Sequence, residues 1–396
     1  MSRNVVLLGL TSLFTDVSSE MVASVLPLYL TLSLGLSPLR FGLIDGLYHG
    51  VTALVRVVGG LLADRWQRHK EVAAAGYGLS AACKLGLLAV GGAWSAIAAV
   101  VALDRTGKGV RTAPRDALIS LSVPQAALAG AFGVHRAFDT AGAMLGPLVA
   151  FGMLALVPGA FDAVFVASFC AAMLGLGVLV SFVENRPAAG ADHGPGAAVS
   201  LRAAAGLLGA RRFRALLLAG TVLTLATVSD GFVYLSFQRR MSLGVGFFPL
   251  LYVATAFIYL VLAVPVGRLA DRLGRAKVFL CGHLLLLGVY AALLLPTVGL
   301  VELAVCLVLF GAYYAATDGV LMALASAVVP PDLRGSGLAL VTTATAVSRL
   351  LASLLFGALW MWWGPDRAVT GYLAGLVAAV GLAAALLVWR SQESPA

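Results

Sequence analysis

The chain has 396 residues, 61% of them apolar and only 11% charged, and a formal net charge of +9. A soluble domain carries roughly 25% charged residues, so this composition, with a mean hydropathy of +0.98, excludes a soluble globular protein. The basic pI of about 9.7 needs no nucleic-acid partner, because the position of the basic residues along the chain accounts for it.

In chain order, apolar segments fall at about 4–33, 40–63, 72–92, 95–120, 128–155, 160–183, 213–237, 247–267, 276–296, 298–325, 336–361 and 367–390. Each is near the ~20 residues that a helix needs to cross a bilayer. The expected fold is an all-α integral membrane protein with twelve transmembrane helices in two pseudo-symmetric six-helix bundles. The first segment meets Asp16 and Glu20 without a small-residue cleavage site, so it is expected to be retained as a helix. The 45 glycines suit closely packed membrane helices. Cys83, Cys170, Cys281 and Cys306 lie inside apolar stretches without metal-type spacing and read as packing residues.

Six segments precede and six follow a stretch rich in Ala, Gly and Pro and then in Arg. The expected organisation is an N-terminal bundle over 1–183, a cytoplasmic linker over 184–212, and a C-terminal bundle over 213–396. Within the linker, Ser200 to Ala210 could form a short helix on the membrane surface. Placing the N-terminus inside makes most loop bases cytoplasmic, Arg65, Arg68, Lys70, Arg272, Arg275 and Lys277 among them. Only Arg40, Arg239, Arg240 and Arg367 would then face outward. The expected location is the cell inner (plasma) membrane, multi-pass, with both termini cytoplasmic.

One pattern occurs twice. Gly60-Leu61-Leu62-Ala63-Asp64-Arg65-Trp66-Gln67-Arg68-His69-Lys70 reads G-x-L-A-D-R-x-x-R-x-K, and Gly267 to Lys277 reads the same, the aspartates lying 207 residues apart. Duplicated halves in a very apolar chain point to a secondary transporter whose bundles rock about a central site. On these residues the chain resembles the major facilitator superfamily. The first copy departs from the family pattern at Gln67, where the second has Gly274. The resemblance implies that this loop is a conformational latch, with Asp64, Arg65, Asp271 and Arg272 as gating residues. The neighbouring bases also serve topology, whereas an aspartate does nothing for it.

Two further matches follow. Arg105 and Gly109 fit the family's R-x-x-x-G pattern in the fourth segment. Gly142-Ala143-Met144-Leu145-Gly146-Pro147 fits the G-x-x-x-G-P core of a motif associated with exporters working as antiporters, with Ala150 and Phe151 where glycines are usual. That stretch reads equally well as small-residue packing with a proline kink. Asp104 to Ile119 and Phe14 to Met21 resemble a bacterial subgroup whose substrates are largely unassigned.

Ionisable residues carry the chemistry, because each costs at least ~2.5–3.5 kcal/mol at the centre of a membrane helix unless it meets a cavity or a partner. Ser12, Asp16, Glu20 and Ser24 recur every four residues and form one stripe. Asp45, His49, Thr52 and Arg56 form another, and the fourth segment carries Asp104, Arg105, Lys108, Arg111, Arg115 and Asp116. The first-half helices hold nearly equal numbers of acids and bases, so most of these charges are expected to pair structurally. The proton-coupling candidates are Asp16, Glu20, Asp139 and Asp230. The substrate-cavity candidates are His49, Lys84, Arg105, Lys108, Arg136, Tyr234, Asp318 and Arg349. Glu20 and Asp230, each after a serine and near the repeat spacing, are candidate equivalents in the two halves. Desolvation disfavours an ionised carboxylate and nearby cations favour it, so such a group can load and release protons.

Gly107-Lys108-Gly109 lacks the frame of a phosphate loop, which leaves gradient coupling. His49 with Asp45 and His135 with Asp139 read as hydrogen-bonding or relay groups rather than metal ligands. No cofactor or metal is expected, and the partners are a small-molecule substrate, protons and the lipid bilayer, with no nucleic acid and a monomeric chain. The leading reading is proton-coupled export of a small organic solute or drug by alternating access. The alternative is an uptake symporter for a small anionic or zwitterionic metabolite. An enzyme or receptor would need a catalytic loop cluster or a sizeable extramembrane domain, and the sequence offers neither.

Overall fold

The computed structural model describes residues 2–66, 68–124, 127–185, 206–241, 243–296, 299–330 and 333–387. For 56–66, 129 and 334–336 only the backbone is described. The predicted linker therefore falls largely outside the described residues, as does all of the predicted surface helix but its last few residues.

Among the described residues the chain is helical throughout. Helix α1 (Arg3–Leu28) ends in a π-helical turn (Tyr29–Ser33), and α2 (Pro38–Trp66), α3 (His69–Ala89), α4 (Trp94–Leu121), α5 (Leu128–Leu156) and α6 (Phe161–Phe182) follow. After the linker come α7a (Arg211–Leu225), α7b (Asp230–Met241), α8 (Phe248–Leu273), α9 (Arg275–Leu293), α10 (Leu300–Val328), α11 (Arg334–Trp363) and α12 (Pro365–Leu387). Gly35, Gly91, Gly159, Gly274 and Gly364 take positive φ at the sharp connections. Residues with a Cβ rarely adopt that conformation, so these glycines stop one helix and turn the chain into the next.

Ten helical stretches among the described residues are long and apolar enough to cross a membrane, and α2 and α4 are not among them. At 28 residues, α4 is about 42 Å long, so length is not what excludes it. Its six charged residues, four of them basic, break the apolar run. Among the side chains that α5 leaves exposed are Leu145, Leu148, Val149 and Leu156, while Ser18 and Ser168 are fully buried and bonded to each other at 2.8 Å. Apolar side chains outside and paired polar groups inside are the distribution a bilayer imposes.

The described residues form two compact units. Unit 1 comprises Met1–Leu36, Leu47–Asp192 and Gly244–Val253. Here α1 packs on α5 and α6, and α3 on α4. Asn4 ties three elements together at one end. Its amide donates to Ser122 Oγ at 2.9 Å and to the Glu184 carbonyl, and its own oxygen accepts the Glu184 N–H.

Unit 2 comprises Ser37–Gly46, His193–Leu243 and Ala254–Ala396. Here α9 packs on α10, and α7a on α11 and α12. Phe232 is surrounded by Phe41, Phe356 and Trp360, with ring centroids 4.7–5.4 Å away. The sequence predicts one helix over 213–237, but the structure interrupts it at 226–229. Tyr290 fills the break: its hydroxyl accepts the Val228 N–H at 2.7 Å and donates to the Ala226 carbonyl at 3.0 Å. Thr227, Val228 and Ser229 are poor helix formers, the first two through β-branching and the hydroxyls of Thr227 and Ser229 through local competition for backbone bonds. A buried partner from another helix satisfies the backbone groups that the break frees.

Candidate functional site

In unit 1 the organising residue is Asp104. Where α3 crosses α4, a Cβ on Gly107 would stand 2.6 Å from the Gly76 carbonyl, and one on Gly76 would stand 2.7 Å from the Gly107 carbonyl. Only glycine at both positions lets the backbones meet this closely. That approach sets Ser80 and Lys84 of α3 against Asp104, 2.5 and 2.7 Å from its Oδ1. Arg105 Nε and Nη2 donate to the other oxygen at 2.9 and 2.5 Å. The Arg105 guanidinium also lies over the Tyr48 ring, 3.8 Å from its centroid, and Thr52 reaches the Arg105 carbonyl at 3.4 Å.

Lys84 and Arg105, both expected to line a cavity, are thus 2% exposed and share one carboxylate. The pairing expected of the first-half charges is found here and at Arg115–Asp116, 2.9 Å apart. Spacing alone did not single out Asp104, which stood in a run of six charges.

The α1 carboxylates lie against α5. A Cβ on Gly142 would meet the Leu13 carbonyl at 2.6 Å and Asp16 Cβ at 3.0 Å, and one on Gly146 would meet the Val17 carbonyl at 2.6 Å and Glu20 Cβ at 2.9 Å. The G-x-x-x-G stretch is therefore the surface on which Asp16 and Glu20 are mounted. Lys108 is the cation that acts most strongly on both carboxylates, and Asp16 also senses Asp139. Arg111 is buried over the Tyr77 ring, 4.4 Å from its centroid. His49 lies edge-on to Tyr48, and Arg136 is on an exposed face of α5.

In unit 2 the seventh-helix break places Asp230 in the first turn of α7b, where an anion complements the helix dipole. Tyr314 donates its hydroxyl to Asp230. Arg349 is acted on by Tyr314, Tyr313, Asp318 and Asp230. Tyr234 is buried and donates to Thr255 at 2.7 Å. Asp318 is exposed on α10. Asp45, which the sequence reading set beside His49, accepts from Ser353 at 2.6 Å within this same unit. The likeness of Glu20 and Asp230 does not extend to local structure: Glu20 is inside a continuous helix, whereas Asp230 opens one.

Of the gating residues, Asp64 and Arg65 have side chains outside the described residues. Asp271 pairs with Arg275 one turn on, at 2.8 Å, and Arg272 is exposed beside it.

The model of the Major Facilitator Superfamily matches residues 8–258 and 240–396. The chain belongs to that superfamily. An uncharacterised MFS-type transporter of Methanocaldococcus jannaschii is 31% identical over 370 residues, which span 91% of this chain and 89% of that one. An uncharacterised protein of Mycobacterium tuberculosis is 38% identical over 160 residues, 40% of this chain and 38% of its own. Among solved structures, the nucleoside transporter NupG superposes with a TM-score of 0.77 at 15% identity, over 99% of this chain and all of that one. A POT family transporter in complex with 5-aminolevulinic acid gives a TM-score of 0.80 at 12% identity, over 100% and 97%. At these identities the structures speak for the fold. This major facilitator protein is a multi-pass membrane transporter.

Proposed function

We propose that this transporter couples the export of a small organic solute or drug to proton entry by alternating access. The observation that carries the reading is the mounting of Asp16 and Glu20 on Gly142 and Gly146. The stretch matching the antiporter-associated motif holds the two carboxylates best suited to load and release protons. Two carboxylates one turn apart resist simultaneous ionisation, and Lys108 is the cation whose approach favours the charged form of either. In this reading the protein is a monomer in the inner membrane, with both termini cytoplasmic. Two six-helix bundles rock about the cavity, residues 184–212 link them, and Asp64, Arg65, Asp271 and Arg272 latch the loops.

The test begins with strains lacking or overexpressing the protein, challenged with a panel of toxic compounds and metabolites. A compound so identified is then followed in proteoliposomes under imposed pH gradients of either sign. Accumulation against the proton flux supports export by exchange. Transport indifferent to the gradient, in vesicles that still exchange the compound, ends the proton-coupled reading. Accumulation in the direction of the proton flux transfers support to an uptake symporter for an anionic or zwitterionic metabolite.

A further inference from the structure

We propose that His135 is a proton relay joining the Asp139 carboxylate to the end of unit 1 where α4 terminates; the inference rests on the proton-coupled reading above. His135 is 3% exposed. Its Nε2 lies 2.8 Å from Ser12 Oγ on α1, and its Nδ1 lies 3.6 Å from Asp139 Oδ2, one turn further along α5. Ser12, itself buried, accepts from Arg115 Nη1 at 3.3 Å, and Arg115 in turn donates twice to Asp116. A line of polar atoms therefore runs along the packing of α1, α4 and α5, from a carboxylate through an imidazole and a hydroxyl to an ion pair near the end of α4.

A second observation points the same way. Asp139 Oδ1 is buried and has no hydrogen-bond partner. Buried polar atoms seldom stay unpaired without a functional reason, and an unpaired carboxylate oxygen is where a proton would reside.

A neutral imidazole has one N–H and one lone pair, on opposite sides of the ring. The protonated Asp139 carboxyl gives its proton to Nδ1 as Nε2–H passes its proton to Ser12 Oγ, whose own hydroxyl proton leaves to water at the α4 end. One proton leaves Asp139, one reaches water, and the ring changes tautomer without net charge. The reverse shift carries a proton from water back to Asp139, which is the direction in which the carboxylate is loaded. At 3.6 Å the Asp139 link exceeds hydrogen-bonding distance, so it is open in this structure. Both residues are on α5, and a rotation of the Asp139 carboxyl, which also turns its unpaired oxygen towards Nδ1, would close it. The groups facing His135 are Ser12 and Asp16 from α1, Arg115 and Asp116 from α4, and Arg136 and Asp139 from α5 itself. Helix α6 adds only Asp162, in its first turn beyond the other end of α5.

The test uses the full-length purified protein, with no transported compound present. An acid jump with a pH-indicator dye in stopped flow reads both the number of protons bound per chain and the rate of binding. His135→Gln is expected to bind about as many protons but at least ~10-fold more slowly, as loss of a positioned proton-transfer group requires. Ser12→Ala should slow binding in the same direction, free imidazole should restore speed to His135→Ala, and Asp139→Asn should remove one bound proton. Wild-type rates in both His135→Gln and Ser12→Ala, in protein with unchanged thermal unfolding, would overturn the relay. So would an unchanged proton count in Asp139→Asn. Failure of the parent reading looks different: the wild-type protein itself would bind no protons in the jump.

Discussion

The two units handle buried charge in opposite ways. Unit 1 concentrates ionised groups and sets them against one another, with Asp104 holding both Lys84 and Arg105 and Asp116 holding Arg115. Unit 2 spends tyrosines instead. Tyr314 bonds Asp230, Tyr290 bridges the α7 break, Tyr234 bonds Thr255, and Tyr313 and Tyr314 pack on Phe310. A phenol brings a hydrogen bond and a large apolar ring without a formal charge to desolvate. A carboxylate with two cations fixes geometry far more strongly but fails badly when one member is lost. Unit 1 should therefore be the more brittle unit towards loss of a single polar group.

That contrast is broken most directly at Asp104. Asp104→Ala leaves Lys84 and Arg105 buried without their counter-ion, and the loss should be about 3–5 kcal/mol. Thermal unfolding in detergent measures it. Adding Lys84→Met should recover part of the loss, since one uncompensated charge is then replaced by an apolar chain of similar length. A loss below ~1 kcal/mol, with no recovery in the double variant, would mean that Asp104 is not the hub.

The α1–α5 seam comes next. Gly146→Leu must displace the Val17 carbonyl or Glu20, and overpacking of this kind costs about 1–3 kcal/mol. Gly152, on the same helix, has nothing within 4 Å of an added Cβ. Gly152→Ala is therefore the control and should leave stability and transport unchanged. Equal tolerance of both substitutions would remove the seam as the mount for Asp16 and Glu20.

In unit 2 the matching substitution is milder. Tyr314→Phe deletes the hydroxyl that Asp230 accepts, and a hydrogen bond to a charged group is worth about 1.5–3 kcal/mol. Asp230 has further interactions, so the low end, about 1.5 kcal/mol, is expected in the same unfolding assay. A loss as large as that of Asp104→Ala would erase the distinction between the units.

Much of this was legible in the sequence, and what was not has a common cause. Apolar runs placed the helices to within a few residues, because bilayer thickness dictates their length. The balance of acids and bases foretold pairing in the first half. Which charges pair was hidden, since Lys84 meets Asp104 only because Gly76 and Gly107 let two helices touch, a fact about contact between elements rather than periodicity along one. The α7 break was hidden for the same reason: Tyr290, more than 60 residues on in the sequence, satisfies the freed backbone. Asp45 belongs with Ser353, some 300 residues away, and no helical stripe could announce that.

The smallest stability effect should accompany the most informative transport effect. Asp271 and Arg275 form an exposed i,i+4 pair, 62% and 39% accessible, and such pairs are worth about 0.3–0.5 kcal/mol. Asp271→Asn should thus unfold almost at the wild-type temperature. If the pair only decorates a helix end, transport should be equally unaffected. If the loop is a latch, transport should fall severalfold while equilibrium binding of the transported compound stays intact, because the latch acts on interconversion and not on the cavity. Asp64 stands four residues before Arg68 just as Asp271 stands four before Arg275, so Asp64→Asn should give the same split between transport and binding. Loss of binding in both variants, in folded protein, would assign these aspartates to the substrate path instead.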